Sequence, residues 1–146
     1  MAKRPLKLSI RIPPYARPRN AWRKALHEVI SESQKISPVV YKLTDKLELE
    51  IKLYIKGSAL FVHDVDNRLK DIMDALQGRA GGPKSKRVLK PIISNDNQIC
   101  RVIIEKFEPP WQSRGLGHLT IRKYRSWHFL RRLSPTRGKI PASGGN

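Results

Sequence analysis

The chain has 146 residues, about one domain's worth, and its 39% hydrophobic content suits one modest core and is too high for a disordered tail. Thirty Lys and Arg against twelve Asp and Glu give a formal net charge of +18, so a polyanion is the expected partner. No run approaches the ~20 apolar residues of a membrane span, and no apolar stretch follows the charged N-terminus; the lone Cys100 excludes a disulfide framework or a cysteine zinc site, so a cytoplasmic location without a membrane partner is expected.

Residues 5–12 place Leu6, Leu8, Ile10 and Ile12 at alternate positions, the pattern of a half-buried strand that Pro13 and Pro14 terminate. A basic, proline-stiffened loop follows, with Arg17 and Arg19 as candidate phosphate contacts. Asn20 is the expected cap of a helix over 21–35, whose apolar stripe is Trp22, Leu26, Val29 and Ile30. Residues 46–56 alternate strictly and form the clearest strand. A second extended piece is expected over 59–65, then a helix over 66–77 with Leu69, Ile72, Met73 and Leu76 on one face and Gly78 at its end. The 78–91 stretch is a loop rich in Gly, Pro and basic residues, where Lys84, Lys86 and Arg87 are candidate backbone clamps. A turn at 94–97 leads into a strand over 98–107, Pro109-Pro110 mark the expected end of the core, and 118–124 offers one more strand. The expected fold class is α+β: a small mixed sheet of about four strands, two main helices and a basic C-terminal extension.

The charges are unevenly placed. Residues 1–27 and 109–146 each hold eight basic residues and no acid, while the centre holds all twelve acids and is nearly neutral. Four of those acids fall between Asp64 and Asp74. Asp64 and Asp66 stand two apart where an extended segment meets a helix, so their carboxylates point to one side. Lys70 lies one helical turn past Asp66, and Asp96 sits in a turn before a strand, free to converge. Clustered carboxylates in a basic chain suit Mg²⁺, which takes one or two carboxylates plus water and phosphate oxygens. Simpler roles compete: an Asp at a helix start is often a cap, an Asp among Ser and Asn a turn residue, and Asp66–Lys70 a solvated pair. Asp71 and Asp74 share the helix and are expected to face solvent. His63 is expected to flank the strand end, with a general-base role as its alternative.

The string His63-Asp64-Val65-Asp66-Asn67-Arg68-Leu69-Lys70, continuing to Asp74-Ala75-Leu76, resembles the Asp-x-Asp-Asn-x-x-Lys motif of the RusA family of Holliday junction resolvases. Asn95-Asp96-Asn97-Gln98 is similar to that family's acidic turn, with Asn95 where Asp is usual, and Pro14–Arg19 is similar to its basic loop. The likeness spans roughly residues 6–108, which implies a RusA-like nuclease domain over 1–110 and an extension, partly disordered, over 111–146. It implies a homodimeric endodeoxyribonuclease that resolves four-way DNA junctions by paired, symmetric, Mg²⁺-dependent incisions, with Mn²⁺ a possible substitute. Asp64, Asp66 and Asp96 match the metal-binding carboxylates, Lys70 the catalytic lysine, and Asn67 the motif asparagine, expected to support the site through hydrogen bonds and not as a metal ligand, and counted with the DNA-binding residues. In the tail, Tyr124, Trp127 and Phe129 alternate with arginines, an arrangement open either to base stacking or to packing. The rival readings are a non-catalytic basic nucleic-acid-binding protein and a related nuclease acting on flaps or other branched DNA.

Overall fold

The structure, a computed structural model, describes residues 7–80 and 89–124. Its elements run β1 (Lys7–Ile12), α1 (Arg19–Ile36), β2 (Leu47–Tyr54), α2 (Val65–Leu76), β3 (Ile99–Phe107) and β4 (Gly117–Lys123), with short 3-10 turns at Gly57–Phe61 and Asp96–Gln98. The fold is α+β, with one four-stranded mixed sheet in the order β1-β4-β2-β3.

Strand alternation places the core. Leu8, Ile10 and Ile12 of β1 are buried, as are Leu47, Leu49, Ile51 and Leu53 of β2. Antiparallel pairing sets Leu8 and Leu49 on either side of Ile121, and Ile10 and Ile51 on either side of Leu119. Trp22, Leu26 and Ile30 of α1 and Ile72, Ala75 and Leu76 of α2 complete the apolar cluster. On the other sheet face, Arg122 stands opposite Glu48 and donates to it at 2.6 Å and to Glu50 at 3.0 Å. Gly117 is required by close approach, since a Cβ there would lie 2.5 Å from the Lys52 carbonyl oxygen.

β2 and β3 pair in parallel, and parallel neighbours need a crossover. Here α2 is that crossover, so the segment richest in acids is suspended between two sheet strands. Gly78 ends α2 with φ at +79°, and a Cβ there would lie 2.2 Å from the Leu89 carbonyl oxygen.

Four expectations need correction. The 59–65 segment is not extended: the Val62 amide bonds the Ala59 carbonyl, and the Lys106 ammonium donates to the carbonyls of Leu60 and His63. Those local bonds replace a sheet ladder. α1 begins at Arg19 with Pro18 in the cap position, and Asn20 instead accepts from Arg23. The core does not end at residue 110, because β4 lies beyond that boundary and occupies the sheet interior. Asp71 does not face solvent: it is 0% exposed and sits where α1 meets α2.

Asp71 gathers three guanidinium groups. Arg19 lies 2.9 Å from it, Arg68 3.3 Å and Arg23 3.4 Å. Arg23 and Arg68 are themselves buried, and Arg68 also lies flat over the Tyr15 ring at 3.7 Å. Removing one partner of such a group leaves buried charge uncompensated, a cost of roughly 3–5 kcal/mol. Asp71→Asn is therefore expected to lower the unfolding free energy by about that amount. Glu32→Gln, which breaks only the exposed pair with Lys35, should change it by less than about 0.5 kcal/mol. Urea denaturation of both variants checks this.

Candidate functional site

Asp64 and Asp66 lie at the N-terminal end of α2, and Lys70 lies one turn further, at its middle. Asp64 occupies the cap position in extended conformation, yet its side chain makes no cap hydrogen bond to the helix. Asp66 and Lys70 are exposed and form no ion pair with each other among the described residues. Both simpler roles, cap and solvated pair, are thus absent for these side chains. Their position is fixed from below by Lys106 of β3, which holds the chain just before the helix through the carbonyl of His63 at 2.9 Å.

Asp96 is positioned by a different device. Asn95 and Gln98 form a reciprocal capping box around the short turn. The Gln98 amide is buried and donates to the carbonyls of Lys42 at 2.7 Å and Asp45 at 3.0 Å, which ties the turn to the entry of β2. The amides of Ile92 and Ile93 both bond the Leu76 carbonyl, so the chain reaches this turn directly from the end of α2. Asp96 itself is left exposed.

The result is a pocket of about 230 Å³ lined by Leu69, Lys70, Met73, Asp74 and Asp96. Asp96 and Lys70 are brought together, and Asp74 joins them. Asp64 and Asp66 do not line this pocket. Asp66, Lys70 and Asp74 follow at intervals of four along one helical stripe, ~6 Å per step, so Asp66 stands one helical turn before Lys70 on the same face. Among the described residues, no three His, Cys, Asp or Glu side chains stand close enough to enclose a metal ion. Asp64 and Asp66 stand at the start of α2, Asp96 stands in the turn before β3 beside Lys70 and Asp74, and the three do not form a closed cage. The donors still suit a hard divalent cation, because the pocket offers the carboxylates of Asp74 and Asp96 with no thiolate or imidazole, and such a cation needs only one or two carboxylates.

No protein-family model matches the chain, and no curated protein matches it. Among the described residues, no helix is long and apolar enough to cross a membrane.

The candidate DNA contacts divide. Arg17 is exposed in the loop before α1. Arg19 is committed to Asp71, donating through Nε at 3.0 Å, and this hydrogen bond, above all, raises its pKa. Arg19 thus has a structural role in the helix pair, while its side chain keeps 39% of its surface exposed. Asn67 is half-buried, and its main-chain carbonyl accepts from Arg19 at 3.4 Å. Lys84, Lys86 and Arg87, like Trp127 and Phe129 of the tail, lie outside the described residues.

Sequence reasoning missed Asp74 and Lys106 as parts of this site, and it placed Gln98 in the turn without its tether to the entry of β2. Asp74 follows Lys70 by four, a spacing that places it on the same stripe and was available in the sequence. Lys106 and Gln98 act across more than forty residues on backbone carbonyls, for which no local pattern exists.

His63 packs edge-on to Tyr15 at 5.1 Å, and its Nδ1 stands 3.5 Å from the Arg68 guanidinium, a group that can only donate. Burial, and then the charges of Arg68, Arg17 and Lys106, lower its pKa below 6.5. The folded state resists protonation here more than the unfolded chain does. The stability this confers is present above the ordinary value and lost as pH falls through the depressed one. In an NMR titration the His63 ring is expected to titrate below 6.5, and Arg17→Ala should move its midpoint upward without unfolding the protein.

Proposed function

We propose that this chain is a Mg²⁺-dependent endodeoxyribonuclease that resolves four-way DNA junctions. The observation that carries the reading is the meeting of Asp96 with Lys70 and Asp74 in one pocket, across a separation of more than twenty residues. The motif resemblance requires an acid from the turn before β3 to reach the α2 stripe, and a purely structural turn has no such requirement. The net charge of +18 supports a nucleic-acid substrate.

In this reading Asp74 and Asp96 would hold the metal ion at the pocket, with water and phosphate oxygens completing its shell, and Asp66 and Asp64 would stand beyond it toward the start of α2. A bound Mg²⁺ supplies charge stabilisation to the scissile phosphate and acidity to an attacking water. The chain's own groups do the rest. The Lys70 ammonium, unpaired with Asp66, faces the same pocket and neutralises charge that develops on the phosphate oxygens. Arg17 holds a neighbouring backbone phosphate. The tethers from Lys106 and Gln98 fix the two ends of the stripe, so the carboxylates are oriented before substrate arrives. A junction has near two-fold symmetry, so a homodimer would set one such pocket at each of two opposed strands.

The test is cleavage of a labelled four-way junction, a flap and a linear duplex by the full chain, each with Mg²⁺ or EDTA. Paired symmetric nicks in the junction alone, only with Mg²⁺, are expected. Asp66→Asn, Asp96→Asn and Lys70→Ala should each slow cleavage by about 10²-fold or more. The two Asn variants should bind the junction at least as tightly as the parent, since each removes a negative charge from a basic protein. Flap cutting without junction cutting would redirect the reading to other branched DNA. Binding without any cleavage would make the chain a nucleic-acid-binding module.

A further inference from the structure

One residue before Asp64, His63 turns into a larger recess of about 860 Å³. Its walls carry the rings of Tyr15, Tyr54, His63 and Trp111, and the cations Lys56 and Arg114. The volume falls within the ~300–1,000 Å³ typical of small-molecule sites. The metal stripe and the core make no use of this recess. Trp111 is 88% exposed, an indole left almost wholly in water. Large aromatic surface held in water beside cationic groups is the composition of a stacking platform for nucleic acid.

The walls are fixed in advance. The Glu108 carboxylate, the one acid among the lining residues, accepts the Gly57 amide at 3.0 Å and closes one side. Ile55 and Phe107 join by a backbone bond of 2.8 Å beneath it. Arg11 donates to the Leu116 carbonyl at 2.7 Å and the Gly117 carbonyl at 3.1 Å, which anchors the far end of the Trp111 loop. The Tyr54 ring is braced by His118 at 6.0 Å and Phe107 at 6.1 Å. Tyr15 is held from behind by Arg68 and Trp22. Trp111 alone among these rings has no such brace among the described residues.

We propose that this recess binds an unpaired base of single-stranded DNA, stacked on Trp111, with its phosphates drawn to Lys56 and Arg114. A base supplies the planar face that the indole lacks, and the attached phosphate supplies the charge that the cations and the +18 chain call for. An acidic peptide would satisfy the charge and leave the indole uncovered. The placement of this base beside the scissile phosphate rests on the nuclease reading, because His63 joins the recess directly to Asp64. Binding of the base does not depend on that reading.

The test measures fluorescence anisotropy of a short labelled oligothymidylate and of a blunt duplex of equal length, with the full chain in EDTA. Trp111→Ala is expected to weaken oligothymidylate binding by about tenfold, and Trp111→Phe to restore most of it. Duplex binding should be unchanged in both variants. Equal single-strand affinity of the parent and Trp111→Ala overturns the base site, whether or not junctions are cut in Mg²⁺. An equal loss for duplex and single strand also overturns it, since stacking on an unpaired base cannot weaken a blunt duplex. Selective loss in a protein that cuts none of the branched substrates supports the base site and overturns only the nuclease reading.

Discussion

The buried carboxylate of Asp71 is the constraint on which the rest of the molecule turns. One negative charge on α2 is enclosed by Arg19 and Arg23 from α1 and Arg68 from α2 itself. Three cations around one anion leave excess positive charge in a poorly solvated place. The structure spreads part of it, through the Tyr15 ring under Arg68 and the Asn20 side chain on Arg23. Because carboxylate–guanidinium geometry is directional, this cluster fixes the rotation of α2 about its own axis as well as its distance from α1. Rotation is what matters for the site. With Asp71 turned inward, the stripe of Asp66, Lys70 and Asp74 is turned toward the edge where Asp96 arrives.

Neighbouring acids therefore have opposite fates on one helix. Asp71 is sealed and multiply bonded, and Asp66 one turn earlier is exposed and makes no ion pair with Lys70. The same separation appears among the arginines: Arg17 is exposed, and Arg19 two residues later holds the helix pair together. In a chain this basic, proximity in sequence says little about whether a charge is spent on the fold or kept for a ligand. The distinction is made by which face each side chain takes, and that is set by helix period and by the partner across the interface.

Much of the architecture was legible. Alternation in 46–56 and the three-and-four spacing of Leu69, Ile72, Met73 and Leu76 are direct consequences of strand and helix geometry, and both elements are where those patterns place them. Gly78 was readable because glycine takes the positive φ that often ends a helix more readily than any residue with a Cβ. Of the candidate site, the sequence carried the acids, the lysine and the turn. It did not carry the burial of Asp71, since a charged residue on a helix faces water unless distant cations meet it. Nor did it carry the 3-10 turn after β2, which depends on Lys106, or the pairing that makes β4 central. Local propensity describes which residues suit a strand; sheet order is decided by contacts far apart in the chain.

The location of β4 bears on how the molecule comes into being. β1 and β2 are made early, but they never touch as sheet neighbours; each bonds to β4, the last strand of the described chain. Until Gly117–Lys123 is available, β1 has no ladder partner, and β2 presents an open edge. The sheet is thus closed from its middle, by long-range pairing of the kind that folds slowly. A ribosome-bound or truncated chain that stops near residue 110 would hold the whole acidic stripe and still lack the strand that makes it part of a single body.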